Sequence, residues 1–344
     1  MERTVFRILD AAANRAGEGL RVIEDYLRFA LDDGHLTGVC KQLRHDLTAA
    51  LSALAATDRH AARDTQADVG APGAPAGDSL RIDATAVVAA SFKRVEQALR
   101  SLEEYGKLID TSLGTAFEQL RYRTYTLERA TDLTRASLER LADARLYVLL
   151  DGRSSLEAFT SLVSSLIEAR VDVVQLRDKR LKDRQLIERA RRLHELTRST
   201  ETLAIVNDRP DIARLAGADG VHVGQEELCV KDGRTIVGPQ SLVGVSTHTI
   251  EQAQTAVMDG ANYIGVGPTF ASTTKAFNSL AGLDLLSAVA AEIRLPAFAI
   301  GGITLENVGD VLAAGFTRVA VGASIAEASD PAEVAREFIR RLAL

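Results

Sequence analysis

From Ala144 onward the chain alternates short apolar runs rich in β-branched residues with amphipathic segments of helix length, a texture that leaves few folds open. Eight runs stand out, at roughly 145–150, 171–176, 203–206, 219–223, 242–246, 262–266, 296–300 and 318–321. Between them lie helix-like segments such as Leu156–Ala169, Arg184–Thr197 and Leu305–Ala314. Eight strand–helix units in about 200 residues predict an α/β fold, a (β/α)8 TIM barrel near the short end of its size range. A doubly wound open sheet is the alternative. Against it, no Gly-x-Gly-x-x-Gly follows the first run, and polar residues stand just beyond most strand ends.

The residues before this stretch read differently. Leu20, Ile23, Leu27 and Phe29 to Leu31 recur at helical spacing among charges, and no β-branched run is long enough for a buried strand. The chain of 344 residues therefore divides into an all-α domain, 1–140, and a barrel domain, 141–344. Between Thr57 and Asp83 the cluster Gly70, Pro72, Gly73, Pro75 and Gly77 predicts a loop. Around it the pattern Arg15, Leu20, Arg21, Glu24, Asp25, Tyr26 recurs 79 residues later as Arg94, Leu99, Arg100, Glu103, Glu104, Tyr105. Gln42-Leu43-Arg44-His45 is echoed by Gln119-Leu120-Arg121-Tyr122, which predicts a duplicated helical hairpin. Two readings of the repeated charges stay open. They form a solvated ion-pair ladder, or two matching faces meet across a pseudo-twofold as one cleft for an anion and its metal ion.

Composition narrows the function classes. The net charge of −6, with no basic patch in either half, argues against a nucleic-acid partner. No stretch reaches the roughly 18 apolar residues of a membrane span, and the first ten residues carry no signal-peptide run. Cys40 and Cys229 stand far apart without ligand partners, so we expect neither disulfide nor zinc site, and a reducing cytoplasm.

In a barrel the chemistry gathers where strands end. Those ends supply Gln175-Leu-Arg177-Asp-Lys179, Asn207-Asp208-Arg209, His222-x-Gly224-Gln225-Glu226-Glu227, Ser246-Thr247-His248, Gly267 through Lys275, Gly301-Gly302 and Gly322-Ala323-Ser324. Small residues after strands 7 and 8 suit a phosphate approached by backbone N–H groups. The opposite side mixes cations, Arg177, Lys179 and Lys275, with Asn207, Asp208 and Glu227. Carboxylates beside cations suit a polyphosphate held through Mg²⁺. Two different phosphorylated ligands are thus expected. Bland readings compete: Asn207-Asp208-Arg209 as a helix cap with Asp211 as its rival, His222 as a core histidine, and His248 as a loop residue orienting Ser246.

These motifs, with Val221-His-Val-Gly-Gln-Glu-Glu227, Gly244-Val-Ser-Thr-His248 and Ala299-Ile-Gly-Gly-Ile303, closely resemble the thiamine phosphate synthase family over about residues 145–328. The resemblance implies a transferase that joins hydroxymethylpyrimidine diphosphate to hydroxyethylthiazole phosphate, releasing pyrophosphate by a dissociative route. It implies that Gln175 holds the pyrimidine, and that Arg177, Lys179, Asn207, Ser246 and Lys275 hold the diphosphate. Of these, Arg177, Lys179, Ser246 and Lys275 would be catalytic. Asp208 and Glu227 would bind Mg²⁺, while Ser272, Thr274, Gly302, Gly322 and Ala323 would take the thiazole phosphate. Two positions depart from the family's pattern: Glu227 stands where Asp is usual, and Ala323 where Ser is common.

The first half, through Asn14-Arg15-x-x-Glu18-Gly-Leu-Arg21, Leu43-Arg44-His45 and Asp64-x-x-x-Asp68-Val-Gly70, resembles a helical domain fused ahead of this synthase in some bacteria. That domain is associated with a pyrimidine-phosphate kinase. No Walker-type loop is present. The alternatives are a thiazole-tautomerase-like barrel, a phosphate-ligand sensor, and a helical half that serves only assembly, with a homo-oligomer left open.

Overall fold

The computed structural model describes residues 2–54, 61–62, 81–271 and 281–343. The chain forms two compact units, 1–132 and 133–344. The predicted loop between Thr57 and Asp83 lies almost wholly outside the described residues, as do Ser272, Thr274 and Lys275.

The first unit is built from helices α1 (Glu2–Phe29), α2 (Gly34–Ser52), α3 (Ala84–Gly106) and the start of α4 (Thr111–Arg140). Asp33 caps α2 by accepting from Leu36 N at 2.7 Å, and Asp83 caps α3 by accepting from Ala86 N at 2.7 Å. The repeated charges are spent inside each hairpin. Arg44 meets Glu24 at 3.1 Å between α2 and α1, and Arg121 meets Glu103 at 2.8 Å between α4 and α3. The ladder reading holds in the second copy, where exposed Arg100 meets Glu103 at 2.9 Å and Glu104 at 3.1 Å, but Glu103 itself is 2% exposed and is also held by Arg121 of its own hairpin.

Burial pushes the Glu103 carboxyl up, yet hydrogen bonds from Lys107 and Arg121 outweigh it and hold the group below its ordinary value. The stabilisation it contributes is therefore full above the ordinary glutamate range and drains away as pH falls through the lowered value. Glu103→Gln would leave Arg121 buried with its charge uncompensated, and a loss of about 3–5 kcal/mol is expected. Chemical denaturation at pH 7 checks it, and a midpoint unmoved from wild type would contradict it.

The second unit is a closed barrel of eight parallel strands in sequence order: β1 (Leu146–Leu150), β2 (Val173–Leu176), β3 (Leu203–Asn207), β4 (Gly220–Val223), β5 (Leu242–Thr247), β6 (Tyr263–Val266), β7 (Ala297–Ile300) and β8 (Val319–Val321). Closure is direct: Leu146 pairs with Val319. Helices follow the strands, among them α5 (Leu156–Glu168), α6 (Asp183–Thr197), α7 (Pro210–Ala216), α8 (Val230–Val237), α9 (Ile250–Asp259), α10 (Gly282–Glu292), α11 (Val308–Ala313), α12 (Ala323–Ala326) and α13 (Pro331–Leu342). This is the TIM-barrel architecture expected from the alternating texture.

Every second strand residue turns into the barrel. The lower layer packs Tyr147, Val173, Ile205, Leu242, Tyr263, Phe298 and Ala320 as one apolar cluster. Its three aromatic rings meet edge-on or tilted, with centroids 5.3 to 5.9 Å apart. One step further along the strands the inward residues become Gln175, Asn207, His222 and Ser246, so the apolar filling gives way to a polar mouth.

Candidate active site

A cavity of about 1060 Å³ opens at the C-terminal ends of the strands. Gln175, Arg177, Lys179, Asn207, Asp208, Glu227, Ser246, Gly302, Gly322 and Ala323 all line it. The structure thus brings every described candidate residue into one space.

On one side the carboxylates gather. Lys179 Nζ lies 3.1 Å from Asp208 Oδ2 and 3.2 Å from Glu227 Oε1, and hydrogen bonds to both acids raise its pKa. Asp208 sits just past β3 with φ 59°, a left-handed conformation uncommon outside glycine, and its N–H donates to His222 O at 2.7 Å. A capping role is excluded. Residue 209 occupies the cap of α7 with no side-chain cap bond, and Arg209 instead pairs with Asp211 at 2.7 Å. Glu227 folds its carboxylate over Gly224, where a Cβ would stand 2.2 Å from Oε2. Among the described residues no three His, Cys, Asp or Glu side chains gather as a metal-binding group, so these acids are a pair. The pair nevertheless fits Mg²⁺: both carboxylates already converge on one positive charge, and Mg²⁺ commonly takes one or two protein carboxylates with phosphate and water completing its shell.

Deeper in the mouth, Ser246 Oγ lies 3.0 Å from His222 Nε2. The sequence reading gave that orienting role to His248, whose Nδ1 instead bonds Gly267 O at 2.5 Å. The reason is register: His222 on β4 pairs with Gly244 on β5, and both His222 and Ser246 follow the inward alternation. Burial, reinforced by the nearby Arg177 charge, lowers the His222 pKa from 6.5 to about 4. With the folded value lowered to about 4, the imidazole is neutral around pH 6.5 and above. No activity limb near pH 6.5 should therefore come from His222. A limb there that vanishes in His222→Gln would contradict this.

Across the cavity, Gly301 and Gly302 take φ 101° and 65°. The corner is braced: Asn307 Nδ2 donates to Gly302 O at 2.9 Å, and Ser324 Oγ donates to Ile303 O at 2.9 Å. The Ser324 proton is thus spent on the backbone, so Ser324 does not stand in for the hydroxyl absent at Ala323.

Comparison with known proteins bears on this geometry. A family model described as "Thiamine monophosphate synthase" matches residues 146–325, and one described as "ThiD2 family" matches residues 7–130. The chain belongs to the thiamine monophosphate synthase family. It is similar over nearly its whole length to the thiamine-phosphate synthase of Rhodopirellula baltica, at 44% identity over 99% of this chain and 94% of that one. The thiamine-phosphate synthase of a Synechocystis species is 42% identical over 98% of this chain and 96% of its own. Among solved structures, a thiamine phosphate pyrophosphorylase from Pyrococcus furiosus is 30% identical with a TM-score of 0.53, covering 58% of this chain and 96% of that one. As a member of the family the chain is a transferase of thiamine biosynthesis, as the motifs led us to expect.

Within the thiamine monophosphate synthase barrel, sequence reasoning missed Tyr147, Tyr263 and Phe298, which form the cavity floor. A signal was available. In a chain only 5% aromatic, three rings stand inside β-strand runs, at positions whose alternation points inward. No helix among the described residues is long and apolar enough to cross a membrane.

Proposed function

We propose that the barrel joins hydroxymethylpyrimidine diphosphate to hydroxyethylthiazole phosphate, forming thiamine phosphate and pyrophosphate. One observation carries the assignment of sides: two carboxylates drawn together by Lys179 face a glycine-braced corner across a single cavity. The first side suits a diphosphate and the second a monophosphate.

In this reading Gln175 holds the pyrimidine at the cavity floor. Arg177, Lys179 and Asn207 take the diphosphate oxygens, and Lys179 exchanges its two carboxylate contacts for the departing phosphate. Ser246, held by His222, offers a hydroxyl to the same oxygens. Lys275, outside the described residues, belongs to this set by its motif. As the carbon–oxygen bond to pyrophosphate breaks, these donors stabilise the charge that develops on the leaving group, and the thiazole nitrogen captures the pyrimidine methylene cation. Asp208 and Glu227 would hold Mg²⁺, which neutralises pyrophosphate charge when bound. Gly302, Gly322 and Ala323, with Ser272 and Thr274 by motif, place the thiazole phosphate through the braced corner. No residue is needed as a base.

The purified chain with both substrates and Mg²⁺ should form thiamine phosphate, and removing Mg²⁺ with chelator should stop it. Absence of product under those conditions would leave the sensor or tautomerase-like reading. For the helical unit, the internal use of Glu24, Arg44, Glu103 and Arg121 favours a structural role over a charged ligand cleft. Phosphorylation of the pyrimidine monophosphate by ATP, abolished on deleting residues 1–132, would support the kinase reading. A change in assembly mass alone, with a homo-oligomer lost, would support the structural one.

A further inference from the structure

Three side chains form a line below the cavity mouth. Gln175 Nε2 donates to the Tyr147 hydroxyl at 2.8 Å, and the Tyr147 and Tyr263 hydroxyls lie 3.1 Å apart. All three residues are buried and all line the cavity. At the free end of the line, Gln175 Oε1 is buried without any partner. An unpaired buried acceptor is costly, so one kept in a cavity-lining residue points to a donor supplied by the ligand.

Tyr147 accepts from the amide N–H, and across 3.1 Å either tyrosine hydroxyl can donate to the other. An amide turned end for end would present NH2 to the cavity and place its oxygen against Tyr147, which would then have to donate to it. A Tyr147 proton engaged by the Tyr263 oxygen is not available to that turned amide. Burial pushes both phenols up, so both keep their protons near neutrality. The rings themselves cannot wander. A Cβ at Gly244 would stand 2.1 Å from Tyr263 Cζ, and Phe298 packs against both tyrosines with centroids 5.3 and 5.8 Å away.

We infer that Tyr147 and Tyr263 are positioning residues that hold the Gln175 amide oxygen toward the ligand, and so select a ring bearing an amino group over the same ring bearing an oxo group. This rests on the pyrimidine reading proposed above and deepens it. A site built around one hydrogen-bond polarity rejects the opposite polarity strongly, because two acceptors or two donors are forced together. A tyrosine hydroxyl that fixes that polarity is then a specificity determinant that acts through Gln175.

The test is calorimetric binding to the full chain with Mg²⁺ and without thiazole phosphate, so that nothing turns over. The ligands are the 4-aminopyrimidine diphosphate, its 4-oxo counterpart and inorganic pyrophosphate. Wild type should prefer the amino ligand by about 100-fold or more. Tyr147→Phe should shrink that preference by about tenfold or more, and Tyr263→Phe should shift it the same way, with pyrophosphate affinity unchanged in both. An unchanged preference in the two variants, no preference in wild type, or pyrophosphate affinity falling in step would overturn the inference. Should Tyr147→Phe not fold, Tyr263→Phe decides alone, since its ring stays seated over Gly244. Wild type that binds with the amino preference but makes no thiamine phosphate would refute the synthase reading only. Product formation with an unmoved preference in the variants would refute only the relay.

Discussion

Asp208→Asn is expected to lower kcat by on the order of 10² to 10³, the loss typical when one charge-stabilising group is removed from a polar transition state. Asparagine is the informative replacement because the backbone at this position has φ 59°. Asparagine and aspartate tolerate that region, whereas alanine would add about 1 kcal/mol of strain and confuse a folding defect with a chemical one. The N–H of residue 208 would still donate to His222 O, so the loop after β3 should keep its path. Two changes follow from the charge removed. Lys179 is left with Glu227 alone, and the Mg²⁺ concentration needed for half-maximal rate should rise. Steady-state rates across a Mg²⁺ titration check both, and a variant within a few-fold of wild type at every concentration would remove Asp208 from the metal pair.

Gly302→Ala should act on the other substrate. A Cβ there would lie 2.4 Å from Ala271 O and 2.8 Å from Phe270 O, and φ is 65°, so the backbone itself must move. Overpacking of this kind costs about 1–3 kcal/mol of stability. Hydrogen bonds to charged groups contribute about 1.5–3 kcal/mol each, so a shifted corner should raise KM for the thiazole phosphate by about 10- to 100-fold while KM for the pyrimidine diphosphate stays put. Gly309→Ala is the matched control. It lies in α11 with nothing within 4 Å of the added carbon, and should leave both constants unchanged. A rise in both KM values would place Gly302 in the scaffold rather than in one subsite.

Much of this was legible before any coordinates. All eight strand runs lie within a residue or two of the observed strands, because a buried parallel strand must be continuously apolar and the polar residues that end it mark the mouth. Three of the overshoots share a cause: β2, β4 and β6 start at Val173, Gly220 and Tyr263 because Asp172, Asp219 and Asn262 just before them turn side-chain oxygens aside to accept from backbone N–H groups of Leu146, Ala204 and Val243. What stayed hidden was lateral. His222 rather than His248 meets Ser246 because β4 and β5 pair in a particular register, and period-2 patterning within one strand carries no information about its neighbour's register. In the helical unit, spacing shows Arg100 sharing a face with Glu103 and Glu104, which it meets at 2.9 and 3.1 Å, but not that a second helix will cover that face, as α4 covers Glu103 with Arg121.

The seat of Glu227 over Gly224 makes the two positions epistatic. In its present rotamer the glutamate uses the space left by residue 224, its Oε2 standing where a Cβ would come within 2.2 Å. An aspartate at 227 would withdraw the carboxylate and release that demand. A side chain at 224 would thus be felt at the carboxylate itself: the acid would swing aside and loosen its contact with Lys179, so the tuning of this pair lies partly in a residue that carries no functional group.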